Sequence, residues 1–420
     1  MHPVGDVGGG DAGEDVPDAL LGDALEEHRG ALFARDHRLL YYPRGFGGVA
    51  GLADGAADDD YVRPCGDGIG SGLGIHAACD GDGYGDLLAA SSSGDGLFWY
   101  HYPDLSKHKI ADGVFTTDMA VGDIDGDGYP DVIIPSNEGL MWYRNPGGWG
   151  GDAATGVWKA TNISPDGARM HDVEVADLDA DGRMDIVTRH QSGFGRMMGN
   201  QIHIWKQNSQ YNWTHLTFEC PHGEGLKVSD LNGDGLPDVI IGGRWYENPG
   251  DILRGTWREH LYVPAEYFDH NWTNGDVAID TGDINGDGRI DIAISPAEGS
   301  GHLSWFESPA DPTGQEWIEH ILEPDYDHAH GICVADMNND GNLDIIVAKM
   351  HQATYPQEVA VYLNNGDASD WHKQILAKTG SHNIVVFDIN GDGHKDVFGA
   401  NWNNASSTHG ALELWLSRLK

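Results

Sequence analysis

A nine-residue acidic loop, repeated at near-constant spacing, limits what this chain can fold into. It is clearest at Asp177-Leu178-Asp179-Ala180-Asp181-Gly182-Arg183-Met184-Asp185. Its first acid recurs at Asp123, Asp177, Asp230, Asp283, Asp336 and Asp388, at intervals of 54, 53, 53, 53 and 52 residues. Six intact copies at such spacing exclude chance, and self-similarity at this period marks a repeat architecture. A seventh copy, Asp80-Gly81-Asp82-Gly83-Tyr84-Gly85-Asp86, has Ala78 where the first acid belongs.

Acids at alternate places, a glycine at the sixth and a closing acid at the ninth gather several oxygens around one point. That is the ligand set of a hard cation such as calcium. The expected ligands are Asp123, Asp125, Asp127 and Asp131 in one loop and Asp177, Asp179, Asp181 and Asp185 in the next. Two further loops offer Asp230, Asn232, Asp234 and Asp238, and Asp283, Asn285, Asp287 and Asp291. The last two offer Asp336, Asn338, Asp340 and Asp344, and Asp388, Asn390, Asp392 and Asp396. About six calcium ions are therefore expected. An EF-hand would set such a loop between helices. Here strand-like segments flank it, Val173-Glu174-Val175-Ala176 before and Ile186-Val187-Thr188 after, so the loop caps a β-hairpin.

Each repeat carries two more landmarks. One is an apolar strand ending in an aromatic pair, as in Trp142-Tyr143-Arg144-Asn145-Pro146, Trp245-Tyr246-Glu247-Asn248-Pro249 and Trp305-Phe306-Glu307-Ser308-Pro309. The other is a tryptophan opening a further strand: Trp158, Trp213, Trp257, Trp317 and Trp371. Four strands per repeat, with no helical periodicity, predict an all-β chain whose seven repeats are blades of a propeller.

These loops and aromatic strands resemble the FG-GAP or VCBS repeat proteins, which are calcium-binding seven-bladed β-propellers. The resemblance covers roughly residues 61–420. Relatives in this class include polysaccharide lyases, sugar dehydratases and lectins, so it implies a fold and a metal more narrowly than an activity.

The formal net charge is −42, and 20 of the acids lie in the six intact loops. One calcium per loop would bring the charge to −30. The remaining acidity argues against nucleic acid or an anionic membrane as partner, and no apolar run approaches the length of a membrane span. Cys65, Cys79, Cys220 and Cys333 show neither metal-ligand nor disulfide-framework spacing. A monomer with a saccharide partner is expected.

Residues 1–60 differ in kind. They hold 13 acids against 4 arginines and no tryptophan, a composition unsuited to ordering itself. Two readings follow: an acidic, disordered tail, or a mistranslated start upstream of Cys79. No signal peptide is legible, although a calcium-dependent protein is expected outside the cell. Sequons at Asn162, Asn212, Asn271 and Asn404 permit that route. The domain division is thus 1–60 and 61–420. The last repeat lacks its outer strand, and an N-terminal segment is expected to supply it, with Tyr61-Val62-Arg63 at the expected distance.

Function belongs on the face opposite the loops. Counting six residues back from each first acid gives Thr117, His171, Glu224, Val277, His330 and His382. Blades 3, 6 and 7 thus bring a histidine to the channel mouth, and the same blades have the longest links between second and third strands. Those links contribute Arg189, His190 and Arg196, then Lys349, His351 and Tyr355, then Asn401, Trp402 and His409. Histidines of the outer strands, His215, His260 and His320, are read as packing residues.

Imidazole suits base work near neutral pH, and a tyrosine or second imidazole can be the acid. The expected catalytic residues are His330, His382, Tyr355 and His171. Arg189, Arg196, Lys349, His351, Trp402 and Asn401 are expected to bind substrate, an arginine holding a carboxylate by its bidentate fork. The leading expectation is a secreted, calcium-stabilised propeller acting on carbohydrate, a carbon–oxygen lyase on uronate-containing saccharide or a sugar dehydratase. The alternative is a non-catalytic lectin, adhesion or protein-interaction propeller.

Overall fold

The computed structural model describes residues 39–42, 73–77, 79–91, 94–115, 118–164, 170–190, 200–264, 276–401 and 412–417. Among them lie seven four-stranded sheets. Six are antiparallel meanders in chain order: blade 1 from Leu73 to Ala111, blade 2 from Ala120 to Ser164 and blade 3 from Met170 to Glu219. Blade 4 runs from Lys227 to Leu261, blade 5 from Val277 to Asp327 and blade 6 from Gly331 to Ala377. The seven-bladed propeller expected from the repeats is the observed fold.

Blade 7 takes three strands from the C-terminal end, Asn383–Phe387, Asp396–Ala400 and Leu412–Trp415. Its fourth is Leu39–Tyr42, parallel to Leu412–Trp415, with Leu39 opposite Leu412 and Tyr42 opposite Trp415. This corrects the choice of closing strand. The edge is covered by a segment of the 1–60 region read as a tail, while Tyr61-Val62-Arg63 lie outside the described residues. Leu39-Leu40-Tyr41-Tyr42 is a short unbroken apolar run, and such a run lacks the alternation that marks a half-buried strand.

Each blade buries one face against each neighbour, so the strands read as nearly continuous apolar runs. Seven cores result, one per interface. Leu88 and Trp99 of blade 1 meet Val132 and Tyr143 of blade 2, and the pattern continues around the ring. Leu87 and Tyr100 of blade 1 meet Val385, Phe398 and Leu414 of blade 7 at the last interface. Burial of a large side chain contributes about 1.5–3 kcal/mol, and Trp99, Trp142, Trp245 and Trp305 are all but fully enclosed.

The tryptophan that opens the fourth strand is a cap. Trp158 Nε1 donates to the Ala153 carbonyl at 3.1 Å, Trp257 Nε1 to Ile252 at 3.1 Å and Trp371 Nε1 to Ala368 at 3.1 Å. The outer histidines pack as expected. His215, His260 and His320 stack on Trp205, Trp245 and Trp305 with ring centroids 4.8, 4.5 and 4.1 Å apart. Cys79, Cys220 and Cys333 are free thiols, the first and third buried, and Cys65 lies outside the described residues. Among the described residues no helix is long and apolar enough to cross a membrane.

Candidate functional site at the channel mouth

The loops sit at one end of the blades, between first and second strands. In the loop of blade 3 the Asp181 and Gly182 amides donate to Asp177 Oδ1 and Oδ2 at 3.0 and 2.8 Å. Gly182 has φ +83°, which a side chain resists. Oxygens of Asp123, Asp125 and Asp127 lie within 4.8 Å of one another, as do those of Asp177, Asp179 and Asp185. Asp125 Oδ1 and Asp179 Oδ1 are buried without a partner. An all-oxygen donor set with orphaned carboxylate oxygens fits a hard divalent cation.

The ninth acids also hold the backbone. Asp238 accepts the Leu231 amide at 3.0 Å and the Asn248 amide at 2.8 Å, tying the loop's second residue to the end of the third strand. Asp185, Asp291, Asp344 and Asp396 make the same pair of bonds. Asp131 accepts from the Asn145 amide and from Trp142 Nε1.

At the opposite end, the first strand of blade 3 and the segments entering the first strands of blades 4, 6 and 7 bring His171, Glu224, His330 and His382 together. Glu224 stands between two imidazoles, with Oε2 3.0 Å from His171 Nε2 and Oε1 3.1 Å from His330 Nε2. The His382 ring lies against that of His330, centroids 3.9 Å apart. Asp172 Oδ1 is 3.2 Å from His171 Nδ1 and accepts the Gly225 amide. Glu298, on the short turn between second and third strands of blade 5, brings Oε1 to 4.0 Å from His330 Nε2. A cavity of about 20 Å³, room for a water, lies beside His171, Glu224 and His330.

Charge is distributed unevenly here. Burial works against a charge on Glu224, but His171 and His330 overcome it and hold the carboxyl well below its usual range. Burial likewise opposes the charge on both imidazoles. The Asp172 and Glu224 carboxylates still raise His171 well above its ordinary value, and Glu224 raises His330. His382 is pushed well down by burial and by His330, and so is neutral. Burial and the Glu224 charge push Glu298 up to about 7, and burial raises Asp276. Three residues further along the same inner strands, Lys227 Nζ lies 3.6 Å from Glu174 and 3.4 Å from Asp280.

Of the expected site residues, the structure thus gathers His171, His330 and His382. His351 is near enough to depress His382 further. The others go elsewhere. Arg189 is fully buried and its guanidinium donates to the Gly225 carbonyl at 2.7 Å and the Pro221 carbonyl at 3.2 Å. That overturns the expectation that it receives a carboxylate, because its donors brace the turn into blade 4. Lys349 Nζ is paired with Asp327 at 2.8 Å and sits 4.4 Å above the Tyr326 ring. Asn401 is buried, donating to the Gly380 carbonyl at 2.8 Å. Tyr355 is 78% exposed. Arg196 and Trp402 lie outside the described residues, as do Thr117 and His409.

Sequence reasoning missed three members. Glu224 was placed at the mouth by the six-residue count but given no task, although an acid aligned with three histidines is itself a signal. Asp276 and Glu298 carry no such mark, and blade 2 has a comparable turn acid in Glu138.

Comparison with known proteins accords with the fold. Over an alignment of 161 residues the sequence is 26% identical to integrin alpha-PS2 of Drosophila melanogaster, covering 34% of this chain and only 11% of that protein. A solved structure on specific recognition of non-reducing terminal N-acetylglucosamine by an Agrocybe aegerita lectin is similar in fold. Its TM-score is 0.53 at 17% identity, over 82% of this chain and 93% of that one. The FG-GAP-like repeat matches residues 79–134, 123–188, 230–294 and 283–347, more than half of the sequence. With the repeats, blades and loops in agreement, the chain belongs to the FG-GAP repeat family.

Proposed function

We propose that this propeller takes a saccharide at the channel mouth opposite the loops and performs acid–base chemistry on it, with Glu298 as the proton-transferring group. The observation that carries this reading is the convergence of Glu224, His171, His330 and His382 from four blades, with Glu298 arriving from a fifth. Strongly shifted proton affinities gathered in one cleft point to a functional site. Glu298 keeps one-fifth of its side chain exposed. With its carboxyl at about 7, it can take or give a proton near neutral pH, where general acid–base catalysis is most effective. The buried histidines and Glu224 act through it, fixing its charge.

Carboxylates outnumber charged imidazoles at the mouth, and Arg189 and Lys349 are committed to other partners. A neutral saccharide therefore suits this site better than a uronate, favouring a dehydratase over a uronate lyase. The lectin of like fold, described by its recognition of N-acetylglucosamine, supports a sugar as the ligand class. In this reading about six calcium ions brace the loops, and the protein works outside the cell as a monomer. A second reading, a lectin without chemistry, is favoured by the small size of the cavity and by Tyr355, whose exposed ring offers a stacking surface.

The test is incubation with neutral and uronate-bearing saccharides, following the absorbance of an unsaturated product alongside glycan-array binding. Product from a neutral saccharide, abolished in a folded Glu298→Gln variant, supports the enzyme. Binding without product supports the lectin. Neither product nor binding overturns both.

A further inference from the structure

Glu298, His330 and His382 come from three neighbouring blades, 5, 6 and 7, and one donor atom of each lies within 4.8 Å of the other two. Among the described residues this is the only such group of possible metal ligands that holds two imidazoles. The groups at the hairpin loops are carboxylates, joined in one case by His101. The difference is chemical. Calcium takes oxygen ligands, whereas imidazole suits zinc, copper, iron and nickel. Two histidines and one glutamate form the three-ligand set of an open zinc site, which leaves a fourth position for water or another oxygen.

The backbone behind all three is pinned. The Ala329 amide, next to His330, donates to the Pro296 carbonyl at 2.8 Å and ties the entry of blade 6 to the turn that bears Glu298. The Ala297 amide fixes that turn again, donating to the Asp276 carbonyl at 3.0 Å. The His382 amide donates to the Ala400 carbonyl at 2.8 Å. A ligating imidazole ordinarily gives its second ring nitrogen to a carboxylate. His330 has such a partner, with Nε2 3.1 Å from Glu224 Oε1. Its Nδ1 is buried and has no hydrogen-bond partner among the described residues. Both histidines are buried, and Glu298, with 20% of its side chain exposed, leaves a way in from solvent.

We propose that Glu298, His330 and His382 bind one first-row divalent transition-metal ion, zinc above all, at the channel mouth. The site differs from the hairpin loops in its end of the molecule, in its ligand atoms and in the ion it takes. The ion and a transferable proton compete for the same carboxylate, so a loaded mouth does no acid–base chemistry through Glu298. Binding itself needs no saccharide, and it can hold where that chemistry fails.

Zinc calorimetry tests this on the full chain, stripped with chelator and returned to excess calcium so that the hairpin loops are not open to zinc. One zinc ion should bind per chain. Cobalt(II) should take its place with the strong visible absorption of a four- or five-coordinate site, which an all-oxygen loop does not give. Glu298→Gln and His382→Ala should each weaken zinc binding by more than about tenfold, while His260→Ala, on an outer strand, should bind as the parent does. If His382→Ala fails to fold, Glu298→Gln on its partly exposed turn decides. No zinc on the parent, or a folded Glu298→Gln variant weakened by less than about tenfold, would overturn the proposal. Zinc bound at this site without product from any saccharide upholds it and counts only against the acid–base reading.

Discussion

Asn145 Nδ2 donates to the Cys79 carbonyl at 2.8 Å, from the end of a blade 2 strand to the second loop residue of blade 1. The same bond recurs from Gln207 to Ile124, from Asn248 to Leu178 and from Asn364 to Ile284, at 2.9, 2.8 and 2.7 Å. The amide of the aromatic-Asn-Pro motif is therefore a staple between neighbouring blades. Asn145→Ala, Asn248→Ala and Asn364→Ala should each cost about 1–3 kcal/mol, since each leaves buried carbonyls unsatisfied. The costs should add, the sites being far apart. Denaturant unfolding checks this, with exposed Asn365→Ala as a near-neutral control.

Glu224→Gln removes the charge that two imidazoles face. Breaking a buried ion pair from one side costs about 3–5 kcal/mol, and unfolding measurements should find a loss of that order at pH 6. His171 and His330 have raised proton affinities, so their contribution is complete below the ordinary value of 6.5. It is lost as pH rises through the raised folded values. The gap between variant and parent should therefore narrow in alkali. His260→Ala, which removes a ring stacked on Trp245, should cost about 0.5–1.5 kcal/mol and change neither saccharide binding nor turnover.

Glu413 is buried on the last strand, both oxygens near Thr379 Oγ1, and burial pushes its carboxyl up to about 7. The folded state binds the proton more tightly than the unfolded chain, whose carboxyl titrates near 4.5. Stability from this group is complete below that value and is lost as pH climbs through about 7. Glu413→Gln should flatten that slope. It should be more stable than the parent at pH 8 by up to about 3 kcal/mol, read from unfolding curves across pH.

Deleting residues 1–38 should leave folding intact. Deleting 1–42 removes the strand on Leu412–Trp415, and an uncovered edge invites association. Size-exclusion chromatography should show a monomer for the first and higher species for the second; monomers in both cases would mean that the edge needs no cover.

The loops, the blades and the three axial histidines were legible because repetition turns one sequence into its own alignment. A ligand place or strand start is recognised seven times over. Leu39–Tyr42 had no such help, since its partner is fixed by ring closure and by no local pattern. Arg189 misled for a related reason. A basic residue in a long link looks like a receptor until the structure shows it buried, with both terminal nitrogens donating to carbonyls. Glu298 was invisible because a turn acid acquires meaning only from what stands opposite.

The seventh core joins Leu87 to Phe398 and Tyr100 to Leu414, each pair more than three hundred residues apart. Six interfaces can form as neighbouring blades emerge during synthesis, but this one waits for blade 7. At about 5–20 residues per second, the apolar flank of blade 1 stays bare for roughly 15–65 s on the ribosome. The nascent chain is thus open to chaperones, and to other nascent chains, until blade 7 has emerged.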